Sequence, residues 1–186
     1  DDRPSLHHRH PRCIRPQRGQ FFNPWTVCQV CQEPYNAMSL VLATDDAGGP
    51  EIFASVQGEG PSAGEPTAFV RLSRCNLACV WCDTAYTWHF AGDDRPHRSG
   101  QTFDRNANQV TLEVEDVAAR IAALGQRRLV VTGGEPMLQA PALAQLLALL
   151  PDVTVEIETN GTAFPPPKLE VWVDQFNISP KLTHSG

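Results

Sequence analysis

The sequence predicts an α/β fold, a largely parallel sheet with helices returning between its strands. Three observations predict it. Apolar strand-like runs alternate with segments of helical periodicity, the rhythm of strand–helix–strand units. Polar, glycine-bearing motifs directly follow the strands, as they do where parallel strands deliver residues to a site at their carboxyl ends. Of 186 residues, 41% are hydrophobic, enough for a sizeable core in one domain.

Residues 1–37 differ from the rest. They are rich in Arg, His, Pro and Gln and show no period of two or 3.6. Cys28 and Cys31 form a C-x2-C pair, with His7, His8 and His10 close in sequence, but little apolar material surrounds them. The expectation is a disordered extension, or translated sequence upstream of a start at Met38. The core is then expected to span residues 38–186.

Within the core, Glu51 to Val56 reads as a strand running into Gln57-Gly58-Glu59-Gly60-Pro61, a sharp loop. Thr67 to Leu72 is a buried strand interrupted by Arg71. A charge inside such a strand is costly without a partner. Its guanidinium either binds a ligand carboxylate through two parallel hydrogen bonds or closes a salt bridge at the strand end. Residues 91–110 are polar and read as a loop or insertion. Val114, Val117, Ala118, Ile121 and Leu124 recur at helical spacing, and Gly125 ends that helix. Arg128 to Thr132 is a buried strand leading into Gly133-Gly134-Glu135-Pro136, whose glycines would open the backbone to an amino-acid ligand. Leu143 to Leu150 is an apolar helix. Val153 to Thr159 alternates as a strand before the Asn160-Gly161 turn. Val171 to Ile178 is a last strand, ending at Ser179-Pro180-Lys181. A closed parallel barrel needs more chain, so the expectation is an incomplete barrel, truncated at its C-terminus.

Charge and hydropathy exclude some partners. The net charge of −6 argues against a nucleic-acid binder. No apolar run reaches the roughly eighteen residues of a membrane span. Six cysteines, three in a tight triplet and none behind an evident leader, point to metal ligation in a reducing compartment. The expected location is cytoplasmic.

The triplet is Cys75-Asn76-Leu77-Ala78-Cys79-Val80-Trp81-Cys82, followed by Asp83-Thr84. No fourth cysteine follows at ligand spacing. A structural zinc site wants four protein ligands, and ferredoxin clusters are held by four thiolates. Three thiolates leave one iron of a 4Fe–4S cube open to a further ligand. The zinc alternative completes the triplet with a distant histidine such as His89 or His97. Asp83 and Thr84 add hard oxygens of the kind Mg²⁺ takes.

The cysteine spacing resembles the cluster loop of radical S-adenosylmethionine (radical SAM) enzymes. With Gln57-Gly58-Glu59-Gly60-Pro61, Phe69-Val70-Arg71-Leu72, Thr132-Gly133-Gly134-Glu135-Pro136, Glu158-Thr159-Asn160-Gly161-Thr162 and Ser179-Pro180-Lys181, the chain from about residue 38 onward resembles the 7-carboxy-7-deazaguanine synthases. That resemblance implies a partial, modified (β/α) radical SAM barrel and a lyase of queuosine biosynthesis. The lyase would convert 6-carboxy-5,6,7,8-tetrahydropterin to 7-carboxy-7-deazaguanine with loss of ammonia. It implies Cys75, Cys79 and Cys82 as cluster ligands and Thr84 as the Mg²⁺ ligand. Trp81, Cys82, Asp83, Gly134, Ser179, Pro180 and Lys181 would hold SAM; Val56, Gln57, Gly58, Arg71 and Thr132 would hold the pterin. It also implies a homodimer and an electron donor such as flavodoxin. The alternatives are a radical SAM activating enzyme acting on a partner protein, a zinc-binding interaction protein, and an inactive fragment.

Overall fold

The computed structural model describes residues 38–185. The expectations for residues 1–37, including Cys28 and Cys31, lie outside the described residues. Seven strands form one sheet: β1 (Ser39–Ala43), β2 (Ile52–Val56), β3 (Pro66–Leu72), β4 (Gln109–Glu113), β5 (Arg128–Gly133), β6 (Thr154–Thr159) and β7 (Gln175–Ile178). The helices are α1 (Arg105–Asn108), α2 (Val114–Ala123), α3 (Ala140–Ala148) and α4 (Pro167–Glu170). Among the described residues, no helix is long and apolar enough to cross a membrane.

The sheet order is β4-β1-β3-β5-β6-β7, with β2 also on β3. Strands β3, β5, β6 and β7 run parallel, as the strand–helix rhythm predicts. The remaining pairings are antiparallel. β1 and β2 share one edge of β3: β2 pairs along Pro66–Val70, and β1 meets the strand at Leu72. β1 and β4 have no counterpart in the sequence reading. Their pairing buries β1 almost wholly, while β4 stays half-exposed at the sheet edge and reads as part of the polar stretch before it. The last strand covers only Gln175–Ile178, because Pro167 starts α4 and the chain turns through Val171 and Trp172 before it can extend.

Period-two alternation divides the sheet into two faces. Ala68, Val70 and Leu72 of β3, Leu129 and Val131 of β5, and Val155 and Ile157 of β6 face the helices. There they meet Val114, Val117 and Ile121 of α2 and Leu143, Leu146 and Leu147 of α3 in one core. Helix α2 carries Glu115 and Asp116 in its first turn and Arg120 in its last, each matched to the helix dipole. The other face is mixed, apolar at Phe69 and Val130 and polar over β6, β7 and the carboxyl ends. Phe69, Val130, Glu156 and Gln175 stand side by side across four strands. One step toward the carboxyl ends, Arg71 lies beside Thr132 and Glu158 beside Asn177. Parallel sheets are normally apolar on both faces. A second face that turns polar is that of a sheet lining a cavity.

Candidate active site

A cavity of about 710 Å³ opens at the carboxyl ends of β3, β5, β6 and β7. Cys75, Cys79 and Cys82 are all on its wall, with Trp81, Asp83, Thr84, Arg71, Thr132, Gly134, Ser179 and Lys181. Eleven of the residues that sequence reasoning singled out therefore lie on one cavity wall, and Pro180 lies between Ser179 and Lys181.

The cysteine loop is held from several sides. Arg74, which leads into it, has a φ of 74°, the one left-handed non-glycine among the described residues. Such a conformation costs an L-residue about 1–2 kcal/mol. It is fixed by Arg74 N–H donating to the Thr87 carbonyl and by Glu135 N–H donating to the Arg74 carbonyl. Further along, Arg98 N–H donates to the Val80 carbonyl, and Val80 N–H donates to the Ser185 carbonyl. The His97 ring, through Nε2, sits 2.8 Å from the Cys82 carbonyl oxygen. The polar stretch 91–103 is thus a strap across the cysteine loop.

Glycine at 133 and 134 is demanded by packing. A Cβ on Gly133 would stand 2.1 Å from the Leu72 carbonyl oxygen, and one on Gly134 2.0 Å from that of Arg74. Gly134 N–H also donates to the Leu72 carbonyl. These glycines admit the cysteine loop's own backbone, a role that the sequence reading gave to a ligand. Glu135 is wholly buried and accepts from Met137 N–H, Thr159 Oγ1 and Asn160 N–H at 2.8–2.9 Å. Asn160 Nδ2 in turn donates to Asn76 Oδ1, tying the turn after β6 to the cysteine loop.

Burial pushes the Cys75 thiol up, partly opposed by the Leu77 backbone, with the charges of Glu135, Cys82 and Cys79 adding to the rise. Burial does the same for Cys79 against the lowering effect of Lys181. Burial thus favours the neutral thiols of Cys75 and Cys79, and a bound cation would offset the cost of ionising them. The histidines of the zinc alternative are otherwise engaged. Both His89 ring nitrogens face backbone carbonyls, of Gln101 and Arg95, and His97 Nε2 faces that of Cys82. Among the described residues, no group of three or more His, Cys, Asp or Glu side chains is gathered for a single metal ion.

Arg71 projects from β3 into the cavity region. Its Nε donates to Glu51 Oε1 at 2.6 Å, and Glu51 Oε2 accepts from the Tyr86 hydroxyl at 2.8 Å. Burial acts against the arginine's charge, but the Glu51 hydrogen bond and charge outweigh it and the pKa is raised. Thr84 Oγ1 lies 3.5 Å from Cys82 Sγ, and the Lys181 ammonium stands 5.1 Å over the Trp81 ring while donating to Ser179 Oγ.

The loop after β2 behaves differently from its expectation. Gln57 is buried: its Nε2 reaches Glu156 and Glu158, and its Oε1 accepts from Gly58 and Glu59 N–H. Val56, Gln57 and Gly58 are not on the cavity wall; Glu59 and Gly60 are. Glu156, which sequence reasoning passed over, anchors this region. Its buried carboxylate accepts from Ser62 Oγ, Gln57 Nε2, Asn177 Nδ2 and Arg128 Nη1. The available signal was a pair of glutamates, Glu156 and Glu158, alternating with Val155 and Ile157 in a strand of a parallel unit.

A model of the radical SAM superfamily matches residues 70–181. This chain belongs to that superfamily. Radical SAM proteins use a 4Fe–4S cluster and SAM, and the cysteine loop lies within the matched stretch. Among curated proteins, the chain is 41% identical over 139 residues to a 7-carboxy-7-deazaguanine synthase of Pyrobaculum aerophilum, covering 73% of this chain and 55% of that protein. It is 36% identical over 138 residues to the synthase of Neisseria meningitidis serogroup B, covering 73% and 53%. The crystal structure of QueE from Escherichia coli superposes with a TM-score of 0.53 at 28% identity, covering 78% of this chain and 61% of that one. The radical SAM chain thus spans about half the length of the curated relatives it matches.

Proposed function

We propose that this radical SAM chain is the core of a 7-carboxy-7-deazaguanine synthase, a lyase that takes 6-carboxy-5,6,7,8-tetrahydropterin to 7-carboxy-7-deazaguanine with release of ammonia in queuosine biosynthesis. One observation carries the reading beyond the superfamily: an arginine whose Nη nitrogens have no hydrogen-bond partner among the described residues lines the same cavity as the three thiols. A planar fork of that kind matches a carboxylate. The named activity of the relatives supports it.

In this reading Cys75, Cys79 and Cys82 hold a 4Fe–4S cluster. The burial that raises the Cys75 and Cys79 thiols fits a site completed by a cation. Gly134, Trp81, Cys82, Asp83, Ser179, Pro180 and Lys181 hold SAM. Bound there, cluster and SAM supply the electron and the radical that abstracts hydrogen from the substrate. Arg71 orients the pterin carboxylate, and Thr132 lies beside it on β5. Val56, Gln57 and Gly58 act through the loop they anchor, which presents Glu59 and Gly60 to the cavity. Thr84 would supply one oxygen to Mg²⁺, a cation that takes hard oxygen ligands. Trp81 with Lys181 over its ring screens the thiols from solvent. The assembly is a homodimer in the cytoplasm, reduced by a flavodoxin-type donor.

The test is anaerobic reconstitution with iron and sulfide, then incubation with SAM, Mg²⁺, reductant and the carboxypterin. The expected product is lighter than the substrate by one ammonia. Replacing any of Cys75, Cys79 or Cys82 by Ala should abolish the broad visible absorption of the cluster, whereas Cys28→Ala should leave it. Cluster loss in Cys28→Ala, or zinc retained at one ion per chain, would reject the assignment.

A further inference from the structure

Arg71 is a fork with two usable edges, and the structure assigns one of them to a fixed internal partner. Glu51 stands just before β2, directly across from Arg71 in the antiparallel pairing: Ile52 pairs with Val70, and Arg71 N–H donates to the Glu51 carbonyl at 3.0 Å. The Glu51 backbone is pinned on its other side by its N–H donating to the Ala43 carbonyl. Its carboxylate does not take Arg71 in bidentate fashion. One oxygen accepts from Nε and the other from the Tyr86 hydroxyl. Tyr86 lies in the 3-10 turn Ala85–Thr87, immediately after the cysteine loop. Its hydroxyl donates to Glu51 Oε2 at 2.8 Å.

We infer that Glu51, oriented by Tyr86, is a positioning residue that holds Arg71 by its Nε edge so that the two Nη nitrogens present an end-on fork to a ligand carboxylate in the cavity. Two features separate this from an ordinary strand-end ion pair. Glu51 and Tyr86 line a different cavity, of about 950 Å³, whose wall does not include Arg71. Neither is on the wall of the thiol cavity, so neither competes for the ligand there. Moreover, the pair is neither bidentate nor solvent-exposed, the two side chains retaining 20% and 14% of their surface. An arginine side chain loses rotamer entropy when it is held. Here the loss is met within the folded protein, before any ligand arrives.

The inference rests on the carboxypterin reading above, and the experiment separates the two. The reconstituted full chain is titrated with 6-carboxy-5,6,7,8-tetrahydropterin and with tetrahydropterin lacking the carboxylate, for wild type, Glu51→Ala, Glu51→Gln and Tyr86→Phe. Wild type should prefer the carboxylated ligand. Glu51→Ala should weaken that ligand about tenfold, the scale of one orienting hydrogen bond, and leave the other unchanged. Glu51→Gln keeps an acceptor for Nε and should restore the preference; Tyr86→Phe should fall between. Tighter binding of the carboxylated ligand in Glu51→Ala would show that Glu51 is only a repelling charge. Equal weakening of both ligands would show that it only supports the fold. Either result, or an unchanged preference, overturns the inference and leaves the function standing. Absence of any preference in wild type overturns the function and the inference together. If Glu51→Ala does not fold, the comparison of Tyr86→Phe with Glu51→Gln decides: equal preference in both overturns the inference.

Discussion

Replacing Glu135 by Gln tests whether the glutamate of the Gly133-Gly134-Glu135-Pro136 motif is an anchor or a ligand-binding group. Its carboxylate is wholly buried and accepts three hydrogen bonds. Oε1 serves Met137 N–H and Thr159 Oγ1; Oε2 serves Asn160 N–H. An amide can keep the first two. At the Oε2 position it sets an NH₂ against the Asn160 N–H, leaving a buried backbone donor unsatisfied. That costs about 1–3 kcal/mol. Glu135→Ala removes both acceptors, orphans two backbone amides and leaves a void, so its cost is about 3–6 kcal/mol. Domains of this size carry only about 5–15 kcal/mol of stability in total. Urea unfolding of the anaerobic chain at neutral pH reads the difference. With a slope of about 1–3 kcal/mol per molar, Glu135→Gln should lower the midpoint by roughly 1 M at an unchanged slope. Glu135→Ala should be largely unfolded or strongly destabilised. A Glu135→Gln chain as stable as wild type that fails to bind SAM would refute the reasoning, since the carboxylate would then act on the cofactor and not on the turn after β6.

Gly134→Ala should prevent cluster loading, read as loss of visible absorption, because a Cβ cannot fit 2.0 Å from the Arg74 carbonyl; Gly58→Ala, with nothing within 4 Å, should load normally. Glu156 predicts a pH dependence. Burial alone would raise its pKa, but the hydrogen bonds from Ser62, Gln57, Arg128 and Asn177 prevail and lower it below its ordinary 4.5. A group with a lowered folded pKa stabilises fully above its unfolded value, and that contribution is lost as pH falls through the folded one. The wild-type chain should therefore lose stability as pH drops below about 4.5, and thermal unfolding of Glu156→Gln should show a flatter acid limb. An identical acid limb in the variant would remove Glu156 from that account.

The parts of the fold legible in the sequence were those whose signal is local. The spacing of Val114, Val117, Ala118 and Ile121 marks α2 to within a residue at its start, and Gly125 closes it with a positive φ of 66°. The apolar runs of β3 and β5 and the alternation of β6 are equally plain. The cysteine triplet is legible because chemistry fixes its spacing. What was not legible depends on tertiary pairing. β1 and β4 are strands because they pair with each other, residue by residue from Ser39 with Glu113 to Ala43 with Gln109. Arg71 poses the same difficulty. Sequence alone left it between a ligand fork and a salt bridge, and the structure shows a salt bridge that occupies only one edge of the guanidinium. Its Nε edge is in a salt bridge and its Nη edge has no hydrogen-bond partner among the described residues, a division set by the cross-strand position of Glu51.

The mixed direction of the strands also alters what the Gln57-Gly58-Glu59-Gly60 motif does. Had β2 run parallel to β3, its following loop would sit beside the cysteine loop. Because β2 is antiparallel, Val56 ends opposite Pro66, at the amino end of β3 and far from Cys75 along that strand. To reach the cavity the loop must fold back over the polar face of β6 and β7. Gly60 makes that approach, with a φ of 67° and space for a Cβ only 2.8 Å from Asn177 Oδ1. Gln57 and Ser62 then bond Glu156 beneath it. The polar row that breaks the apolar rule for a parallel sheet is therefore the docking surface for this loop, and Glu156 is buried because the loop covers it. A motif that reads as a ligand loop is held in place by carboxylates of a strand about one hundred residues away, Glu156 and Glu158, which accept from Gln57 across 99 and 101 positions of sequence. Only at its tip, Glu59 and Gly60, does it face the cavity.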